Sequence, residues 1–454
     1  MQKLKSLIGW GDSRFFKLWL SLALPIMLQQ GLSSVLYLLD NIMVGQLGET
    51  AIASVGVANQ LTFLMQVFGF GINSGAGIFA AQYWGKNDRD GIHRIEGIAL
   101  TLSVVLGALF TVAALVFGRQ ISDIYSNDPQ VIELSAQYLA ILGWSYIFQL
   151  VSQTLGIILR ACGSPMLAMT ATLAGVCTNG VLNYIFIFGH LGLPAMGVEG
   201  AALATVIAAV VNTVVLITVS IKKKNVVAAS LKKLFSFSKS LFKDFVKLSL
   251  PVFFNEALWS LGISMYSILW GILGTEVQAS MQIYTTIDRI GFIMMAGLGS
   301  AAGVITGNTI GEGNIDRAKL YSKRMLIITP VAVLLFSMLL QFAAPLFLLL
   351  FDVTPAVSAM ALSVIRVYCG AMFLYALNYT IIIGTLRAGG DTGYASAVDL
   401  VGLWAVSVPL AFLFGLALGV PVWLVFLATA LGDVLKAFMG LRRIKTGKWI
   451  KVLD

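Results

Sequence analysis

The chain has 454 residues, of which 58% are hydrophobic and only 11% charged, and its mean hydropathy is +0.89. So few charges cannot clothe soluble domains of this length, which excludes a soluble enzyme and leaves a chain that uses the bilayer as its solvent. The formal net charge of +9 is then a matter of topology, and nucleic acid is not needed to explain it.

Lys3, Lys5, Arg14 and Lys17 precede an apolar run from Leu18 to Leu39 that is too long for a signal-peptide core, so it counts as the first span. A helix needs about 20 apolar residues to cross the hydrocarbon. Twelve segments meet that need: 17–40, 51–80, 92–118, 131–158, 165–188, 198–221, 242–271, 277–307, 321–349, 358–386, 394–416 and 420–441. Such long continuous runs argue against barrel strands, which alternate over about 10 residues. Threading the spans alternately puts every Lys and Arg except Arg119, Arg289 and Arg366 in the loops and tails of one side. The predicted topology is therefore an all-α bundle with both termini in the cytoplasm. Cys162, Cys177 and Cys369 show no metal or redox spacing and read as small apolar residues.

The chain is written twice. "LALPIML" around Pro25 returns as "LSLPVFF" around Pro251; Gly48, Gly71, Ser74, Gly77 and Gly85 return as Gly274, Gly297, Ser300, Gly303 and Gly311 in the same register. "LRACGSP" at 159–165 returns as "LRAGGDT" at 386–392. This predicts two parallel six-helix lobes, 1–221 and 248–454, joined by a basic linker at 222–247, with a substrate path between the repeats as transporters have. "GFGINSG" and "GLGSAAG" lie inside spans and lack the strand-then-helix setting of a phosphate loop, so close helix packing is their expected role.

Pro25, "LLDNIMVGQLG", "GKN" at 85–87, "LRACGSP", "NGVLNYIFIFG" and "GVEGAALAT", with their echoes in the second half, resemble the multidrug and toxic compound extrusion (MATE) family over nearly the whole chain. The resemblance implies a multi-pass transporter of a prokaryotic inner membrane that exchanges H⁺ or Na⁺ for bulky amphipathic, often cationic compounds. It also implies a cation-coupling group of Asp40, Asn179, Asn183 and Thr205. Two positions depart from the family: Asn183 stands where some members carry aspartate, and Trp259 where some bacterial members carry a span-7 glutamate.

An acid at bilayer depth costs about 2.5–3.5 kcal/mol on the insertion scale, so Asp40 needs a partner, a proton or water. Tyr37, three residues earlier on the same helical face, is placed to donate to it, and Asn179 and Asn183 share a face at i, i+4. Carboxylate, amide and hydroxyl oxygens form a hard set suited to Na⁺, and the carboxylate alone suits a proton. A cap at the outer interface is the structural alternative for Asp40. The same repeat register sets Tyr266 opposite Asp40 and Gln30 opposite Glu256. Glu256, beside Asn255, is expected to contact substrate or ion, with an internal pair to Arg289 as the alternative. Asp288 and Arg289 point apart on one helix; with Tyr375, Asn378 and Asp399 they sketch a second-lobe polar network. Asp433 is spaced to pair with Lys436. Pro25 and Pro251 are expected to kink the first span of each lobe.

With two histidines and no Walker lysine motif, neither an intramembrane enzyme nor an ATP-driven pump is expected. Nor is a cofactor, or a metal beyond Na⁺ at Asp40. The expected partners are lipid and small amphipathic substrates, with the chain acting as a monomer. A lipid-linked saccharide flippase of the same superfamily is the alternative function, and it would favour more arginine within the spans.

Overall fold

A computed structural model describes residues 12–349, 351 and 353–453. Apart from one isolated bridge between Gly390 and Ile450, every named element among them is helical. The first half holds α1 (Ser13–Gly45), α2 (Glu49–Gly85), α3 (Arg89–Tyr125), α4 (Pro129–Leu142), α5 (Ser145–Ala161), α6 (Pro165–Phe188) and α7 (Gly197–Lys222). A single turn, α8 (Leu231–Leu234), follows in the basic stretch. The second half holds α9 (Lys239–Leu273), α10 (Thr275–Gly311), α11 (Ile315–Leu348), α12 (Pro355–Tyr379), α13 (Thr392–Leu400), α14 (Val408–Phe412) and α15 (Val422–Thr446). π-Helical turns at Thr380–Arg387, Val401–Ser407 and Leu413–Ala417 interrupt the last part of it.

Among the described residues 11 helices are long and apolar enough to span a membrane, or 12 if α4 and α5 make one broken span. The span expected over 131–158 is that broken one, bent by 53° between Leu142 and Ser145. Thr111 on α3 donates its hydroxyl to the Gly143 carbonyl at 2.7 Å and fixes the bend. Only glycine fits there, since a Cβ would press on Ala114. Elsewhere capping residues place the starts. Asp88, Asp128 and Asn314 accept from Gly91, Gln130 and Arg317 backbone N–H groups at 2.8, 2.9 and 3.1 Å. Pro129 and Pro355 sit in first turns, where the missing N–H costs nothing.

The chain packs as two compact units, Leu28–Ser249 and the remainder. The boundaries of these packing units fall inside α1 and α9. Phe15, Trp19, Leu22 and Ala23 at the start of α1 belong to one apolar cluster with residues of α9 to α12 and α15. Arg324 donates to Asp12 at 2.6 Å and lies over the Phe15 ring. In the other unit Phe245 near the start of α9 stacks on Phe79 of α2 at 6.1 Å. The glycines of α2 and α10 do pack closely: a Cβ at Gly75 would strike Ser249, and one at Gly299 would strike the Tyr379 ring. Both Pro25 and Pro251 lie within helices that continue through them.

Candidate coupling site

α1, α6 and α7 bring four of the expected coupling residues together. Asn183 donates through Nδ2 to both Asp40 Oδ1 and Asn179 Oδ1, the latter at 2.9 Å. Asn179 in turn donates to Thr205 Oγ1 at 3.2 Å, and Thr205 donates to the Ala201 carbonyl at 3.0 Å. Both asparagines are fully buried, and the i, i+4 spacing turns both amides to one point. The chain of donors leaves Asn183 Oδ1 with no hydrogen-bond partner beside the carboxylate. Asp40 is buried and held by one neutral amide, with no basic side chain among the described residues acting on it. Tyr37 is 47% exposed, and its carbonyl accepts from Asn41 at 2.7 Å. Tyr138 on α4, buried and near enough to sense the Asp40 charge, is a neighbour that no spacing in the sequence announces.

The second-lobe residues form the expected Asp433–Lys436 pair and two ion pairs that no spacing in the sequence announces, Glu256–Arg387 and Asp399–Lys436. Glu256 accepts from Arg387 Nη2 at 2.9 Å; it is not Arg289 that holds it. Arg289 is exposed on α10, while Asp288 faces Tyr284 and Tyr368. Asp399 accepts from Asn255 at 3.0 Å and from Lys436 at 2.9 Å; Asp433 accepts from Lys436 at 3.5 Å and from Asn378 at 3.1 Å. Tyr375 stands beside this group, near Asp433 and Tyr266, with its ring 6.0 Å from that of Tyr368.

Three basic residues assigned to cytoplasmic loops and tail turn back onto the protein, two of them buried and Arg160 half-buried. Arg387 and Lys436 are buried, and Arg160, in the last turn of α5, donates to Gln29 at 2.8 Å. Long stems let these heads fold back from helix ends, which loop counting does not foresee. Arg160 on Gln29 and Arg387 on Glu256 span the same chain separation of 131 residues. The register counterpart of Glu256 is Gln30, so in the first lobe the arginine reaches the neighbouring residue, Gln29. One more acid went unremarked: Glu96 on α3 is 1% exposed, and its Oε2 lacks a hydrogen-bond partner.

The fold and these internal polar sites define a multi-pass membrane transporter built on a repeat. The MatE family model matches the chain twice, over residues 25–185 and 251–413. The chain belongs to this family. "Uncharacterized transporter YisQ" of Bacillus subtilis (strain 168) is 25% identical over 95% of this chain and 94% of its own. "Probable multidrug resistance protein NorM" of Bradyrhizobium diazoefficiens is 28% identical over 90% and 89%. The fold is shared with "Crystal structure of MATE in the straight conformation", at TM-score 0.86 and 22% identity over 95% and 96% of the two chains. It is shared too with a MOP superfamily transporter from Pyrococcus furiosus, at TM-score 0.85, 22% identity and 95% and 96% coverage.

Proposed function

We propose that the protein is a secondary antiporter of a prokaryotic inner membrane that exports bulky amphipathic, often cationic compounds in exchange for H⁺ or Na⁺. Two six-helix repeats, 1–221 and 248–454, alternate access around a path between them; both termini are cytoplasmic, and the chain acts as a monomer. The relatives named for multidrug resistance support the substrate class.

One observation carries the coupling role. Among the described residues no basic side chain balances the charge of Asp40, in contrast to Glu256 and Asp399; the same is true of Glu96, but Asp40 has the oxygens of Asn179, Asn183 and Thr205 beside it. A carboxylate left at bilayer depth with only an amide donor needs an exchangeable positive charge. A proton adds to a carboxylate oxygen. A Na⁺ would take the carboxylate together with Asn179 Oδ1, Asn183 Oδ1 and Thr205 Oγ1, oxygens already gathered there. Release of the ion would return the charge and let Asn183 donate to it again.

The test is dye efflux in an efflux-deficient host, wild type against Asp40→Asn, with Na⁺ and pH varied independently. The expected outcome is efflux lost in a variant that still reaches the membrane, with the wild-type dependence on Na⁺ or pH naming the ion. Undiminished efflux by the variant would sink the assignment.

A further inference from the structure

Three aspartates of the spanning helices are held in one way. Asp40 accepts from the amide nitrogen of Asn183, Asp399 from that of Asn255 and Asp433 from that of Asn378. The three asparagines are 0%, 1% and 5% exposed, and in each the amide oxygen has no hydrogen-bond partner. Buried acceptors are seldom left unused, because desolvating one without a donor is costly. A carboxamide next to a carboxylate resolves this if the acid changes state. Its NH₂ donates to the anion, and after a half-turn about χ2 its oxygen accepts the O–H of the neutral acid.

In the second lobe the charges require such a change. Asp399 and Asp433 flank a single ammonium, Lys436, at 2.9 and 3.5 Å. Among the described residues, Arg387 also acts on Asp399, and it is paired with Glu256 at 2.9 Å. Tyr266 faces Lys436, and Tyr375 faces Asp433. Three partly buried carboxylates thus meet two buried cations, which leaves one negative charge in excess.

We propose that the second lobe carries an exchangeable proton of its own, bound to Asp433 in the Asp399–Lys436–Asp433 cluster. Asp433 is chosen over Asp399 because it has the longer contact to Lys436. The proton adds to the carboxylate, the cluster becomes neutral, and Asn378 rotates from donor to acceptor. This site is independent of Asp40, so either can fail without the other.

Infrared difference spectra between acid and alkaline pH test it on purified full-length Asp40→Asn protein in lipid nanodiscs, with no transport needed. A carboxylic-acid C=O band that disappears at alkaline pH is expected, with the intensity of one carboxyl lost in Asp40→Asn/Asp433→Asn. Asn378→Leu in the Asp40→Asn background keeps both acids but removes the acceptor, and is expected to shift the band to higher frequency. It keeps the test open if the Asp433 variant does not fold. A spectrum unchanged by Asp433→Asn, or a band unmoved by Asn378→Leu, overturns the proposal.

Discussion

Arg160 and Arg387 are one residue in two copies of a repeat, yet the first meets a neutral amide and the second a carboxylate. Removing one partner of a buried ion pair costs about 3–5 kcal/mol, because the other charge stays behind. Arg387→Met should therefore lower stability on that scale. Glu256→Gln leaves Arg387 an amide oxygen to donate to, as Arg160 has in the first lobe, and should cost less, about 1.5–3 kcal/mol, near the worth of one hydrogen bond to a charged group. Thermal unfolding in detergent checks the order; equal losses would mean that Glu256 does not need its cation. At this scale the sequence was legible where spacing alone decides contact, as at Asn179 and Asn183. It was misleading for Arg387, and for Lys436 it showed the pair with Asp433 but not the one with Asp399. Sorting basic residues into loops treats a helix end as water, whereas both heads turn back into the protein, Arg387 to an acid 131 residues away and Lys436 to one on another helix as well as one on the neighbouring turn.

Helices were legible in extent because apolar runs and caps agree; 165–188 was expected and Pro165–Phe188 is found. The π-helical turns were not, since an extra residue in one turn leaves no mark in an apolar run. One of them, Val401–Ser407, approaches α15 so closely that a Cβ at Gly432 would strike Ser407 and the Gly402 carbonyl. Gly432→Val should destabilise by about 1–3 kcal/mol through overpacking. Gly370→Ala on α12, where a Cβ meets nothing within 4 Å, should be neutral or gain up to about 1 kcal/mol of helix propensity. Thermal unfolding separates the two. At the start of α1, the Arg324 guanidinium and the Phe15 N–H hold the Asp12 carboxyl below the usual carboxylate range. A depressed carboxylate stabilises above its unfolded value and loses this as pH falls through its folded one. The melting-temperature gap between wild type and Asp12→Asn should thus be full near neutral pH and close in acid. A gap that widened on acidification would contradict the pairing.

Across the whole molecule, the internal repeat was visible in proline, glycine and serine positions, and the family model falls on both halves. The packing boundary inside α1 and α9 was invisible, because which neighbour a continuous helix chooses depends on side chains far away in the chain, such as Tyr321 against Phe15. If both lobes carry a proton, two protons enter for each exported monocation and one net charge moves inward. Voltage then contributes about 2.3 kcal/mol per 100 mV. In proteoliposomes with the matching orientation, an inside-negative diffusion potential should speed export of a monocationic dye; rates indifferent to voltage would indicate one-for-one exchange. The pairs Gln29–Arg160 and Glu256–Arg387 also bear on ancestry. Codons for Gln and Glu differ only in their first base, so after duplication of a six-helix ancestor one point mutation in one copy separates the amide of Gln30 from the acid of Glu256. Where an arginine already reaches that turn of the first span, a change from Gln to Glu meets its counter-charge at once, and two lobes can diverge in charge without passing through a buried, unmatched ion.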